Sequence, residues 1–237
     1  MRDAEPLVEL RGVTKDYHAL RPLRIRHLQL HSGQSLALLG FDLAMAEVFV
    51  SLVTGAQLPD AGEVRVFGRP TTAIADTSEW VTTLDQFGLV SERAVLVEQF
   101  TAEQNLAMPL SLEITDMSSA LRSRVRALAD EVSFPADALT QPTGTLSAPA
   151  RLRLRLARAL AMNPRVLLAE HPNAAIPPDE APVFAADLVR IVADRQLGSV
   201  VLTVDRTFAS AVADEVLTLQ PATGALEPAR GWRRWFS

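Results

Sequence analysis

The sequence contains no cysteine. That excludes disulfide frameworks, thiolate catalysis and thiolate metal sites. Lysine is nearly absent too: Lys15 is the single lysine among 23 basic residues, the rest being arginine. Any chemistry that needs a second lysine is therefore unavailable. No secretory signal is visible, because Met1-Arg-Asp-Ala-Glu-Pro6 has no apolar stretch. The longest apolar segment, residues 35–53, is interrupted by Asp42 and Glu47 and makes a poor membrane span. Internal repeats and low-complexity linkers are also missing. A formal net charge of −5 gives no electrostatic reason to expect nucleic acid as the partner.

What is present is a chain of 237 residues, 48% of them apolar. That suffices for a substantial core and is too apolar for disorder. It reads as a cytoplasmic domain. Residues 7–12, 27–31 and 34–39 pattern as strands, and the last ends at Gly40. Residues 43–54 have helical character and stop at Gly55, a suitable C-terminal glycine. Residues 61–68 form a glycine-bounded strand. From 91 to 145 the pattern becomes helical, punctuated by Pro109, Pro135 and Pro142. Residues 147–162 predict a helix with Arg151, Arg155 and Arg158 on one face and Leu152, Leu156, Ala159 and Leu160 on another, although the alternation in Arg151–Leu156 also fits a strand. Residues 166–169 and 199–204 are continuous apolar runs, as doubly covered parallel strands require. A helix over 180–195 joins them, and residues 216–219 add another strand. Strands alternating with helices predict an α/β fold.

Several of these segments, in order and spacing, resemble the nucleotide-binding subunit of an ABC transporter. Gly40-Phe-Asp-Leu-Ala-Met-Ala-Glu-Val48 stands where that family has its Walker A loop, G-x-x-G-x-G-K-[ST]-[ST]. Leu146-Ser-Ala-Pro-Ala150 with Arg153 is similar to L-S-G-G-Q-x-x-R. Asn163-Pro-Arg-Val-Leu-Leu-Ala-Glu-His-Pro172 is similar to the Walker B strand, N-P-x-[VL]-L-L-A-D-E-P. Gly55, Pro59, Gly62 and Gly68 fall on the family's framing positions, and Thr101-Ala-Glu-Gln-Asn-Leu-Ala-Met-Pro109 resembles a stretch of its helical subdomain. The likeness spans residues 6–220. Ala169 and the Met108-Pro109 pair are most similar to the lipoprotein-release and macrolide-exporter branch.

The resemblance implies a P-loop NTPase-like (RecA-like) α/β core with a mainly parallel sheet, an N-terminal antiparallel β part and an inserted helical subdomain. It implies one cassette domain over 1–237. Its core and β part would be 1–90 and 151–222, its helical subdomain 91–150 and its C-terminal tail 223–237. ATP with magnesium is the implied cofactor, and Tyr17, Gly40, Ala46, Glu47 and Ser147 fall on the family's binding positions. The implied partners are a second, intact ATPase subunit and a transmembrane permease, with the chain held peripherally at the cytoplasmic face of the inner membrane.

The chemistry departs from the family residue by residue. In a Walker A loop, glycines let backbone N–H groups curl round the phosphates, the lysine neutralises oxygens and the hydroxyl holds magnesium. Here the lysine position is Ala46, the hydroxyl position is Glu47, and two glycine positions are Leu43 and Met45. Losing the lysine removes charge-assisted bonds worth about 1.5–3 kcal/mol each. Affinity is therefore expected to fall at least ~100-fold, each ~1.4 kcal/mol being tenfold. Asp42 or Glu47 can satisfy the N–H groups at the helix start that phosphate otherwise would.

The other catalytic positions agree. Glu92 stands at the Q-loop glutamine, Glu170 at the Walker B aspartate, His171 at the glutamate that polarises water, Asp205 at the switch histidine and Pro177 at the D-loop aspartate. Ser147 is retained, but Pro149 lacks an N–H to offer a partner's phosphate, so Ser147-Ala-Pro reads equally as a helix cap. Tyr17 matches the adenine-stacking aromatic or is packed as ordinary core. The segment Arg230-Gly-Trp-Arg-Arg-Trp-Phe236 is a cationic aromatic tail suited to lipid headgroups, a partner or a packed terminus. Three functions remain open: an impaired cassette paired with an intact ATPase and a permease, a homodimeric non-hydrolysing scaffold, and a divergent ATPase using His171 as base and Glu170 on magnesium.

Overall fold

The computed structural model describes residues 5–74 and 76–229. The tail proposed to touch lipid or a partner, 230–236, lies outside the described residues. Strands β1 (Val8–Lys15) and β2 (Leu23–Leu30) form a hairpin, followed by β3 (Ser35–Leu39), α1 (Leu43–Val53), β4 (Ala61–Val66) and the short β5 (Arg69–Pro70). Then come α2 (Thr77–Leu84), β6 (Phe87–Val90), α3 (Ala102–Ala107), α4 (Ser119–Glu131) and α5 (Ala148–Leu160). The chain continues through β7 (Val166–Glu170), α6 (Ala181–Asp194), β8 (Gly198–Leu202), α7 (Arg206–Val212), β9 (Glu215–Gln220) and β10 (Ala225–Pro228).

The strands make two sheets. One is antiparallel, in the order β2-β1-β4-β5; the other runs β10-β9-β3-β8-β7-β6. In the second sheet β9, β3, β8, β7 and β6 are parallel, and β10 pairs antiparallel with β9 at the edge. This is the expected mixed α/β architecture, with its antiparallel part at the N-terminus and helices α3 and α4 between β6 and α5.

Strand alternation explains the layers, since successive side chains leave a strand on opposite faces. Val166 and Leu168 of β7 join a core shared with α1 and the antiparallel sheet. Leu167 and Ala169 join the core of α3 to α6. Strand β8 splits likewise, Val200 and Leu202 one way and Val201 the other. The parallel strands are covered on both faces, which is why they read as continuous apolar runs.

The ambiguous alternation at Arg151–Leu156 resolves as helix, because Ser147 caps it and Pro149 sits in its first turn. Helix α5 is buried round more of its circumference than the two-faced reading implies: Leu154, Ala157 and Arg153 are buried beside Leu152, Leu156 and Leu160. Arg153 survives there because its Nη1 donates to Val132 O at 2.8 Å and to Asp187 Oδ2 at 2.5 Å. Arg195 adds a two-pronged pair with Glu131 at 2.6 Å, so α4 is tied to α6 by guanidinium groups.

At Asp187, burial opposes ionisation, but the contacts to Arg153, Arg190 and Ser133 outweigh it and hold the carboxyl below the usual carboxylate range. Its folded-state value lies under its unfolded one. The stability it contributes is therefore complete above the ordinary carboxylate range and is lost as pH falls through the lowered folded value. We predict that Asp187→Asn lowers the thermal midpoint at neutral pH. It should also flatten the loss of stability below about pH 4, where carboxylates protonate. Parallel midpoint-against-pH curves for wild type and variant, offset by a constant, would contradict this role.

Candidate functional site

The site lies at the carboxyl ends of β3, β8, β7 and β6. Open parallel sheets place their ligand crevices at such an edge, where loops leave in different directions. After β3 the chain turns at Gly40 (φ 88°), a backbone region that suits glycine. A Cβ there would also meet the Leu219 carbonyl at 3.4 Å. The turn starts α1, whose first N–H groups point into the crevice without intrahelical partners.

One of those groups is satisfied from within. Asp42 is the N-cap, its Oδ1 accepting from Met45 N at 2.8 Å. Its carboxylate is also close enough to Tyr17 to act on the phenol: burial first, then the Asp42 charge, pushes the Tyr17 hydroxyl up. Tyr17 is half-buried against the core that holds α1. Ala46, at the lysine position, is buried with its side chain in that same core.

The second charge comes from a residue that the sequence reading passed over. Strands β6 and β7 pair in parallel register, Val90 opposite Ala169, so the next residues, Ser91 and Glu170, stand side by side. Ser91 Oγ donates to Glu170 Oε2 at 2.5 Å. Two residues on, Arg93 turns back into the crevice. Its Nε donates to Glu170 Oε2 at 3.1 Å and its Nη2 to Glu170 Oε1. Its Nη1 lies 3.0 Å from Glu47 Oε1. One guanidinium thus bridges the Walker B carboxylate position and the Walker A hydroxyl position. Glu170 is the buried partner, its side chain 7% exposed, whereas Glu47 is 52% exposed. The hydrogen bonds that Arg93 donates to Glu170 raise its guanidinium against the opposing effect of burial.

The remaining expected positions are placed as follows. Glu92 points away from the crevice and pairs with Arg155 Nη1 at 2.7 Å. Asp205 caps α7, accepting from Thr207 N at 2.8 Å and Phe208 N at 3.1 Å. Its other oxygen accepts from Asn173 Nδ2 at 3.1 Å. Ser147 caps α5 through Ala150 N at 3.4 Å. Pro177 is exposed, and its carbonyl accepts from Glu180 N at 3.0 Å. His171 follows Glu170 in a left-handed conformation (φ 44°), buried, its Nε2 without a hydrogen-bond partner among the described residues. The signal that could have found Arg93 is strand alternation: if Ser91 faces inward, Glu92 faces out and Arg93 in.

The residues present do not fit a magnesium nucleotide. The helix N-terminus that would take a phosphate holds Asp42, and the carboxylates that would face a cation already hold Arg93. Among the described residues no group of three His, Cys, Asp or Glu side chains is arranged to hold a metal ion.

A family model described as ABC transporter matches residues 23–174, more than half of the chain. The chain is 32% identical over 202 residues to the phosphonates import ATP-binding protein PhnC of Anaeromyxobacter dehalogenans, covering 81% of this chain and 40% of that protein. It is 28% identical to the sulfate/thiosulfate import ATP-binding protein CysA of Pseudomonas aeruginosa, covering 90% of this chain and 63% of that protein. It therefore spans less than two thirds of either relative. In fold it is similar to a dimeric bacterial ABC transporter cassette, with a TM-score of 0.79, 22% identity and coverage of 95% and 100%.

Removing Arg93 leaves Glu170 buried against Ser91 alone. Breaking a buried pair from one side costs about 3–5 kcal/mol, and the 42% exposure of Arg93 moves the expected loss to roughly 2–3 kcal/mol. Arg93→Ala should therefore lower stability by that amount in urea unfolding, and Arg93→Ala with Glu170→Gln should recover much of it. Asp42→Ala should cost about 1 kcal/mol, as loss of a helix cap does. An Arg93→Ala variant as stable as wild type would mean that Glu170 is not charged against it.

Proposed function

Because the chain belongs to the ABC transporter family, we propose that it is a cassette subunit that does not hydrolyse ATP at its own site. It pairs with a second, intact ATPase subunit and docks on a membrane permease, so that the partner's ATP-driven closure is carried through this chain to transport. Any ATP it meets is held weakly at its own Walker positions. The observation that carries the reading is the pair of internal charges. Asp42 stands in for the anion at the start of α1, and Arg93 stands in for the cation between Glu47 and Glu170. A phosphate arriving there would have to displace a helix cap and two ion pairs, and would find no lysine to replace them.

Among the described residues no helix is long and apolar enough to cross a membrane. Attachment at the cytoplasmic face of the inner membrane would therefore run through the permease. Ala169 and the Met108-Pro109 pair favour the lipoprotein-release and macrolide-exporter branch, whereas the relatives named above are import proteins. The proposed role is the same in either direction of transport. A homodimeric, non-hydrolysing scaffold would use the same inert site and differ only in its partner.

One observation favours a different reading. His171 Nε2 is buried and without a hydrogen-bond partner among the described residues, and a histidine base at this position is what a divergent ATPase would need. Against it, Glu170 is already spent on Ser91 and Arg93.

Mg-ATP binding and turnover should be measured on the purified chain, alone and with its co-purifying partner. We expect no turnover alone, and turnover in the complex that is abolished when the partner's Walker lysine is changed. Turnover by the isolated chain that is lost in His171→Ala would overturn the proposal in favour of the divergent ATPase. Self-association with no ATPase in the complex would favour the scaffold.

A further inference from the structure

The segment from the end of β6 to the start of α3 is anchored on both of its sides. On the inner side, Ser91 and Arg93 hold Glu170, and Arg93 reaches on to Glu47. On the outer side, Glu92 pairs with Arg155 of α5, and Arg158 Nη1 of the same helix donates to the Val95 carbonyl at 2.7 Å. Arg158 is half-buried, and burial together with the like charge of Arg155 pushes its guanidinium down. Among the described residues no carboxylate lies within 4.0 Å of it, so Val95 O is its acceptor. At the far end, Val97 N donates to Asn105 Oδ1 at 2.9 Å, while Asn105 Nδ2 and Thr143 Oγ1 donate to Val97 O at 3.0 and 2.6 Å. Asn105 is fully buried. Four consecutive or near-consecutive residues are thus fastened alternately to the crevice and to α5, and a fifth is locked to α3.

We infer that residues 91–97 form a strap whose position is set by the protein's own ion pairs, so that the crevice and the outer face of α5 are held in one fixed relation without a ligand. The inference rests on the reading above that no magnesium nucleotide occupies the crevice. A connection of this length running between elements would ordinarily be among the least protected parts of a fold. Here its inner fastening is an ion-pair triad, Glu47–Arg93–Glu170, joining α1, the strap and β7. The chain-level consequence is that α3, which starts five residues after Val97, inherits a position referenced to α1 and β7.

The backbone supplies the readout. The amide of Arg93 is bonded to Ser91 Oγ at 3.1 Å and that of Ala94 to Ser91 O at 3.1 Å, so both report on the ion-paired end of the strap. The amide of Val97 is held by Asn105 and serves as an internal control. Residue-resolved amide exchange should be measured on the full chain, with and without Mg-ATP, for wild type, Glu47→Gln, Arg93→Lys and Arg93→Ala. Glu47 is half-exposed, so Glu47→Gln removes one arm of the triad without stranding a buried charge, and the test survives if Arg93→Ala fails to fold.

The expected result is exchange at residues 93 and 94 faster by several-fold in Glu47→Gln and Arg93→Lys, and by about tenfold or more in Arg93→Ala. The Val97 amide should be unchanged throughout, and wild type should be indifferent to Mg-ATP. Exchange at 93 and 94 within about twofold of wild type in all variants would overturn the strap, leaving the proposed function standing. Added protection of wild-type 93 and 94 by Mg-ATP would overturn it from the other side. Turnover by the isolated chain would sink the proposed function and with it the premise on which the strap rests.

Discussion

A carboxylate at the end of a doubly covered parallel strand has lost most of its water, and the charge it carries must be met by something nearby. In this protein the carboxylate is Glu170 and what meets it is Arg93, with Ser91 filling the remaining lone pair. An uncompensated charge in that position costs several kcal/mol even after relaxation. The crevice is therefore organised around this pair. It draws the chain after β6 back toward α1, where Glu47 completes the bridge, and sends Glu92 outward to α5. Arginine suits the task better than lysine would, because its planar fork reaches both oxygens of Glu170 and still has an Nη left for Glu47.

The changes at the Walker positions read as one mutually consistent set. Without a lysine, the N-terminus of α1 has only backbone dipoles to offer, and Asp42 satisfies one of the exposed donors. Glu47, where a hydroxyl would ordinarily face a cation, would repel Glu170 if nothing stood between them. Arg93 turns that repulsion into attraction on both sides. Asp205 follows the same pattern, capping α7 and holding Asn173. Asp42, Glu47, Glu170 and Asp205 are thus each held by a bond within the protein, whereas Ala46 is packed in the core and His171 Nε2 has no hydrogen-bond partner among the described residues.

The fold was legible because its signals are local. Apolar runs, the glycines at 40, 55 and 62, and the capped starts of α1 and α5 each act over a few residues, and alternation along β7 and β8 sets the layers. The expected departures at Ala46, Glu47, Glu170 and His171 came from the resemblance to the family's motifs. What spacing could not supply was the contact between Arg93 and Glu170, which are 77 residues apart and meet only because β6 and β7 pair in parallel register. Glu92, the position that the motif singles out, is turned outward to Arg155. Likewise the helical period places Arg151, Arg155 and Arg158 on one face but says nothing of their partners, and in the fold Arg155 is 10% exposed and Arg158 half-buried, both committed to the 91–97 segment.

That commitment changes what the crevice can do for the rest of the molecule. In a site that waits for a ligand, the charges on the two sides are left incomplete, and binding energy arises when the ligand completes them. Here they are complete in the free chain, so a ligand has little differential energy to offer and correspondingly little power to shift a conformational equilibrium. The elements gathered at the crevice, α1, β7 and the 91–97 segment, instead behave as one block whose internal energy is fixed by Glu47, Arg93 and Glu170. The tie between β7 and the 91–97 segment is the more buried one, because Glu170 is 7% exposed, whereas the tie to α1 runs through the half-exposed Glu47.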